Sequence, residues 1–269
     1  MKYSVIGMGF IYDRHVKAIH DNGGEIKLVC DIDESKKDKS KAKFFKNWRD
    51  MYLSKEFTEI DYVVICTPNN THFEMAIEAL RKGKKVICEK PPILNDKQYE
   101  ALMALPNIND LSIMFQARYA KGWHKIDVSK RANVNMNISV HRDDWYMKSW
   151  KADDKQSGGL LNNIGCHYFD ILAWLFGSYV KGKINIKTPK RIKGTLELEN
   201  ADVSWLVAID APHDNQKRQF IINGESINLT QMGFEELHPT VYKDILNGGG
   251  IKLKEYKKTL EIITKLYGA

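Results

Sequence analysis

Gly7 and Gly9 stand between an apolar run, Tyr3-Ser4-Val5-Ile6, and a helical stretch that reaches Asn22. A strand predicted over residues 2–6 therefore passes through a glycine turn directly into a helix. Gly23-Gly24 follow as the carboxyl cap of that helix. Ile26 to Cys30 then form a second apolar run, which ends at Asp31. Strand, glycine turn, helix and strand make one βαβ unit, with its two strands parallel. A chain that opens this way is committed to a parallel sheet with helices packed on its faces.

The alternation continues to about residue 117. Residues 34–58 are charged and weakly patterned, and only a short helix is expected there. Tyr62-Val63-Val64-Ile65-Cys66 is near-continuously apolar, the pattern of a strand buried on both faces. Thr71 with Glu74 reads as a capping box opening a helix that ends near Gly83. Lys85-Val86-Ile87-Cys88 is the next strand, stopped by Pro91-Pro92. A helix over 95–104 and a strand over 111–116 complete the series. The pattern then changes. Residues 134–141 alternate as a longer strand, followed by a loop rich in Trp, Lys and Asp and a helix over 160–176. From 180 to 229, strand-like segments succeed one another without helices, broken at Thr188-Pro189, Asn200, Pro212 and Asn223-Gly224. Two helices, over 236–247 and 253–267, end the chain. The expected fold is an α/β Rossmann domain with a parallel sheet over 1–117. An α+β domain with a mostly antiparallel open sheet follows over 118–269.

Composition excludes several classes. At 43% hydrophobic and 28% charged, the 269 residues can bury a sizeable core. No apolar run approaches the ~20 residues of a membrane helix, and no leader pattern precedes the first strand. A cytoplasmic protein without a membrane partner is expected. The charge of +7 comes from 41 Lys and Arg against 34 Asp and Glu, mostly as scattered lysines. No arginine–aromatic stripe marks a nucleic-acid groove, so no nucleic-acid partner is expected. A mild positive field suits an anionic small molecule. Cys30, Cys66, Cys88 and Cys166 form no C-x-x-C pair. They read as reduced, buried thiols, and no metal site is expected.

Four segments carry candidate chemistry. In Gly7-x-Gly9-x-x-Tyr12, the first glycine permits the turn and the second lets the backbone approach a pyrophosphate at the helix amino end. Tyr12 replaces the usual small third residue. Asp31 ends the second strand, where a carboxylate accepts ribose hydroxyls and repels a 2′-phosphate, so NAD is favoured over NADP. Thr67-Pro68-Asn69-Asn70-Thr71-His72 and Glu89-Lys90 lie at later strand ends, where ligands of open α/β sheets bind. A desolvated Lys90 acts as a base; a protonated one binds and polarises an alcohol or carbonyl oxygen. On the 160–176 helix, Asn163, His167 and Asp170 share a face, beside an apolar stripe of Ile164, Tyr168, Ile171 and Leu175. The His167 imidazole suits accepting an alcohol proton; held by Asp170, it would instead be structural.

These segments, in this order and spacing, resemble the Gfo/Idh/MocA family of sugar and cyclitol oxidoreductases, above all in CTPNNTHFEMAIEALRKGKKVICEKP. In the second half, DWYMKSWKAD, GGLLNNIGCHYFDILAWLFG, RQFIINGE and GFEELHPTVYKDIL are similar to the UDP-N-acetylglucosaminuronate 3-dehydrogenases of that family. The resemblance implies a catalytic Lys90 and His167. It implies NAD contacts from Gly7, Gly9, Phe10, Ile11, Asp31, Thr67, Pro68, Asn69, His72, Glu89, Lys90 and Trp150. Substrate contacts fall to Arg14, Lys90, Arg118, Tyr146, Lys148, Asn163 and His167, with Trp145 and Lys151 also walling the cleft. The implied substrate is a nucleotide sugar on the way to a surface polysaccharide such as an O-antigen. A free sugar or inositol, or binding without turnover, are the alternatives. The open sheet of such proteins often joins homo-oligomers, here a dimer or tetramer. Two departures stand out. Tyr12 can alter the packing at the glycine turn, and the chain is shorter than typical members around 34–58 and in the loops of its second half.

Overall fold

Strands buried on both faces need continuous apolar runs, and the first half of the chain supplies them. The computed structural model describes residues 1–231, 233 and 236–268. Its first sheet is built from β1 (Lys2–Ile6), β2 (Glu25–Cys30), β3 (Lys43–Phe45), β4 (Tyr62–Ile65), β5 (Lys85–Cys88) and β6 (Leu111–Ile113). All pairs are parallel, in the order β3-β2-β1-β4-β5-β6. The helices between them are α1 (Tyr12–Asp21), α2 (Trp48–Leu53), α3 (His72–Arg81) and α4 (Asp96–Met103). The strand order reverses between β1 and β4, which opens the crevice where ligands of such sheets bind.

Two local expectations change. The weakly patterned stretch holds β3, which pairs with the end of β2, besides α2 and two 3-10 turns. The capping box at Thr71 does not form. Its hydroxyl instead donates to the Pro68 carbonyl at 2.7 Å, and Glu74 is bound to Arg49.

The chain divides into two compact units, Met1–Met114 with His238–Lys254, and Phe115–Leu237 with Glu255–Ala269. The single break expected after residue 117 is therefore incomplete, because a late segment returns to the first unit. Its helix packs on α1, where Asn22 Nδ2 donates to the Pro239 carbonyl at 3.1 Å, and Ile251 bridges to Ile113.

The second unit contains β7 (Ala132–Ser139), the short helices α5 (Asp144–Met147) and α6 (Asp154–Ser157), and α7 (Cys166–Phe176). β8 (Tyr179–Lys187), β9 (Arg191–Leu198), β10 (Ala201–Ala208), β11 (Lys217–Ile222) and β12 (Glu225–Asn228) follow. The chain ends in α8 (His238–Leu246), the returning helix, and α9 (Leu253–Gly268). The second sheet runs β12-β11-β7-β10-β9-β8, antiparallel except for the β7–β10 pair. Its inner face packs on α7: Phe169 meets Trp205 of β10 with ring centroids 5.3 Å apart. The outer face is polar, with Asn133, Asn135, Thr195, Asp202 and Ser204 exposed.

A π-helical turn, Leu161–Gly165, precedes α7. Its i→i+5 bonding admits one extra residue. Of the expected stripe, Tyr168 and Ile171 are buried and Ile164 and Leu175 half-buried; Gly165, Phe169, Leu172 and Phe176 are buried as well. Of the run GFEELHPTVYKDIL, Phe234 and Glu235 lie outside the described residues. Among the described residues, no helix is long and apolar enough to cross a membrane.

Candidate active site

The first unit brings its site residues to the carboxyl ends of β1, β2, β4 and β5. Gly7 has φ +91°, and a Cβ there would lie 2.7 Å from the Cys66 carbonyl oxygen, so the turn requires glycine. A Cβ on Gly9 would meet nothing within 4 Å. The turn therefore has one glycine packed against β4 and one with an open backbone face, the arrangement a pyrophosphate needs. Phe10 is exposed and Ile11 half-buried at the start of α1, with the Arg14 guanidinium over the Phe10 ring at 5.8 Å. Tyr12 is buried inside the unit, so the departure from the glycine motif is absorbed by packing. Burial pushes its hydroxyl above the usual phenol range, partly offset by a bond to Ser40.

Asp31 stays at the end of β2, where its Oδ2 accepts the Met8 N–H at 2.7 Å and its Oδ1 the Asp33 N–H at 2.9 Å. It locks the glycine turn to the second strand. Lys36, which sequence reasoning passed over, reaches both carboxylate oxygens at 3.0 and 3.1 Å.

At the end of β4, the Thr67 and Thr71 hydroxyls bond at 2.7 Å, and Asn69 is buried. His72 is fully buried, with Nδ1 and Nε2 facing the Pro91 and Thr67 carbonyls at 2.8 and 2.7 Å. Both nitrogens are engaged inside the unit, so His72 joins two strand-end segments instead of contacting a cofactor. Lys90 is half-buried at the end of β5.

Glu89, expected on the cofactor, turns inward. His15 Nε2 lies 2.9 Å from its Oε1. The only sequence signal for His15 was its place on the buried face of α1 with Tyr12, Ala18 and Ile19. His238 also approaches Glu89, and no local pattern marked that pairing.

The second unit holds the rest. Asn163 lies in the π-helical turn, and its amide donates to the Tyr146 hydroxyl at 2.6 Å. Tyr146 is thereby buried under the loop, while Trp145 and Lys148 are exposed and Trp150 and Lys151 half-buried. The Lys151 ammonium lies 5.1 Å from the Trp150 ring centroid. His167, in the first turn of α7, meets Phe115 edge-on at 5.9 Å.

Asp170 does not hold His167. It binds Arg118 through two bonds of 2.7 Å and accepts the Thr259 hydroxyl at 3.1 Å. Arg118, expected on the substrate, is spent on that pair and on Glu255 at 2.8 Å. A guanidinium matched in this bidentate way is a structural cation, not an anion receptor.

Two family models match the chain. The oxidoreductase family's NAD-binding Rossmann fold matches residues 1–115, and the same family's C-terminal alpha/beta domain matches residues 124–248. Among solved structures, the WlbA (WbpB) dehydrogenase from Thermus thermophilus, in complex with NAD and UDP-GlcNAcA, is 29% identical. Its TM-score is 0.90, over 98% of this chain and 93% of that one. An uncharacterized oxidoreductase of Synechocystis sp. is 25% identical over 78% of this chain and 63% of its own length. The inositol 2-dehydrogenase of Rhizobium meliloti is 26% identical over 66% of this chain and 55% of its own length. The chain thus spans less than two thirds of these curated relatives.

Proposed function

The chain belongs to the Gfo/Idh/MocA oxidoreductase family, and on that footing we propose that it oxidises a ring hydroxyl of a nucleotide sugar with NAD. The specific substrate of this reading is the 3-hydroxyl of UDP-N-acetylglucosaminuronate. The observation that carries it is the likeness to the Thermus dehydrogenase crystallised with NAD and UDP-GlcNAcA, over almost the whole of both chains.

The glycine turn, Asp31 and the Thr67–Asn69 segment would hold the dinucleotide. Bound there, NAD supplies the acceptor for the hydride of the alcohol carbon. The protein's task is the proton. His167 takes the hydroxyl proton, and Lys90, kept protonated, donates a hydrogen bond to the same oxygen and stabilises its developing charge. The reverse assignment moves the same proton to Lys90. With Arg118 withdrawn, Lys148, Lys151 and Arg14 are the cations this reading assigns to the diphosphate or carboxylate. Tyr146 and Asn163 shape the loop that carries Trp150. In this reading the enzyme works in the cytoplasm, as a dimer or tetramer joined across the outer face of the second sheet, and feeds polysaccharide synthesis.

A second reading, oxidation of a free cyclitol, is favoured by the inositol 2-dehydrogenases among the relatives. A single-turnover experiment separates the two. Protein saturated with NAD is mixed with UDP-N-acetylglucosaminuronate or with myo-inositol, and NADH absorbance is followed. Absorbance rising with the sugar nucleotide alone, and lost in Lys90→Ala, is the expected result. A rise with inositol alone replaces the first reading by the second. Binding of the sugar nucleotide by calorimetry without NADH would leave a binding protein.

A further inference from the structure

Glu89 precedes Lys90 at the end of β5, and its residue is only 9% exposed. An ionised carboxylate at that depth is expensive unless it is paired and hydrogen-bonded. A histidine of α1 meets this need, and a second histidine, from α8, lies beside it. His15 of α1 lies 2.9 Å from Oε1, and His238 of α8 places Nε2 3.7 Å from the same oxygen. The two imidazoles meet edge to face at 5.2 Å, and the Tyr242 hydroxyl lies 2.8 Å from His15 Nδ1.

The hydrogen-bond roles follow from the acceptor. A carboxylate can only accept, so His15 Nε2 carries the hydrogen and donates. Burial disfavours the charged imidazolium of His15, so Nδ1 is bare and accepts the Tyr242 O–H. The ring is thereby held in one tautomer. The other oxygen of Glu89 accepts the Lys90 N–H at 3.3 Å. Among the described residues, His72 from α3 and the thiols of Cys66 and Cys88 also feel the Glu89 charge.

We propose that Glu89 is the positioning residue of Lys90: clamped between α1 and α8, it fixes the lysine's backbone and keeps a negative charge one residue from its ammonium. The proposal rests on reading Lys90 as a catalytic group. His15, Glu89 and His238 also bring ligand-type atoms within 4.8 Å of one another. The donor–acceptor spacing at Glu89 and the Tyr242 bond on the far nitrogen give this cluster a hydrogen-bonding role.

The test compares the full chain with Glu89→Gln, Glu89→Asp and His238→Gln. Competitive acylation across pH, read by mass spectrometry, gives the titration midpoint of Lys90 without requiring turnover. Loss of the neighbouring anion lowers that midpoint in Glu89→Gln by about one pH unit. A slackened lysine lowers kcat roughly 10- to 100-fold, with NAD affinity held within about threefold by calorimetry. Glu89→Asp recovers part of both effects, and His238→Gln shows a smaller loss in the same direction. A Lys90 midpoint unmoved in Glu89→Gln overturns the proposal, even where kcat falls, because a purely structural role predicts that pattern. One equivalent of divalent metal in the wild type, lost in His238→Gln, also overturns it. Wild-type protein that turns over neither substrate while Lys90 still shifts refutes the functional reading and supports this one.

Discussion

Gly7 shows how much one side chain, or its lack, decides at the site. Any L-residue there faces an unfavourable positive φ and a backbone oxygen 2.7 Å from its Cβ. Gly7→Ala is expected to cost about 1–3 kcal/mol of stability and to weaken NAD binding further, because the turn must open away from β4. Denaturant unfolding and calorimetry with NAD check the two parts; unaltered affinity would mean the dinucleotide does not depend on this turn. Gly7, Gly9 and Asp31 were legible because each answers a local backbone demand. Glu89, His72 and Arg118 were misplaced because the roles of Glu89 and Arg118 depend on partners 52 or more residues away, and that of His72 on carbonyls at two strand ends. Sequence position at a strand end does not say whether a side chain faces the crevice or the core.

Among the elements, α7 carries the proposed base His167 beside a buried ion pair. Asp170 is fully buried, and its charge is answered by Arg118 alone among cations on the described contacts. Removing one partner of such a pair strands the other, so Asp170→Asn is expected to destabilise the protein by about 3–5 kcal/mol. Urea unfolding measures this; a loss under 1 kcal/mol would show that Arg118 relaxes onto Glu255. The pair also fixes α7 one turn beyond His167, so the same variant tests whether that helix needs the anchor for activity. Strand and helix periods announced β1, β2, β4, β5 and the run from β8 to β12. β3 was missed because three residues at a sheet edge, Lys43-Phe44-Phe45, carry no period. The π-helical turn was missed because an α and a π turn share one composition.

At the scale of the whole molecule, the return of His238–Lys254 to the first unit makes the Rossmann core depend on chain that follows the entire second sheet. No boundary signal at residue 117 could disclose that return. It brings a titrating network into the core, and acid sensitivity follows. Burial lowers the pKa of His15, against its bonds to Glu89. The unfolded chain therefore binds a proton below about pH 6.5 that the folded chain refuses. Burial would raise Glu89, but the hydrogen bond from His15 and the nearby His238 imidazole hold it well below the usual carboxylate range. Its contribution is present above about pH 4.3, the unfolded value, and is lost as pH falls toward the folded one. Both signs agree: stability drops on acidification, first through His15 and then through Glu89. Each group contributes up to about 1.4 kcal/mol per pH unit in its own window. Urea midpoints of the wild type should fall between pH 7 and pH 5, and His15→Gln should flatten that part of the curve while leaving the steeper loss below pH 4.3. Parallel curves for the two proteins would mean that His15 carries its proton in both states, and that the clamp on Glu89 is an ion pair instead of a neutral hydrogen bond.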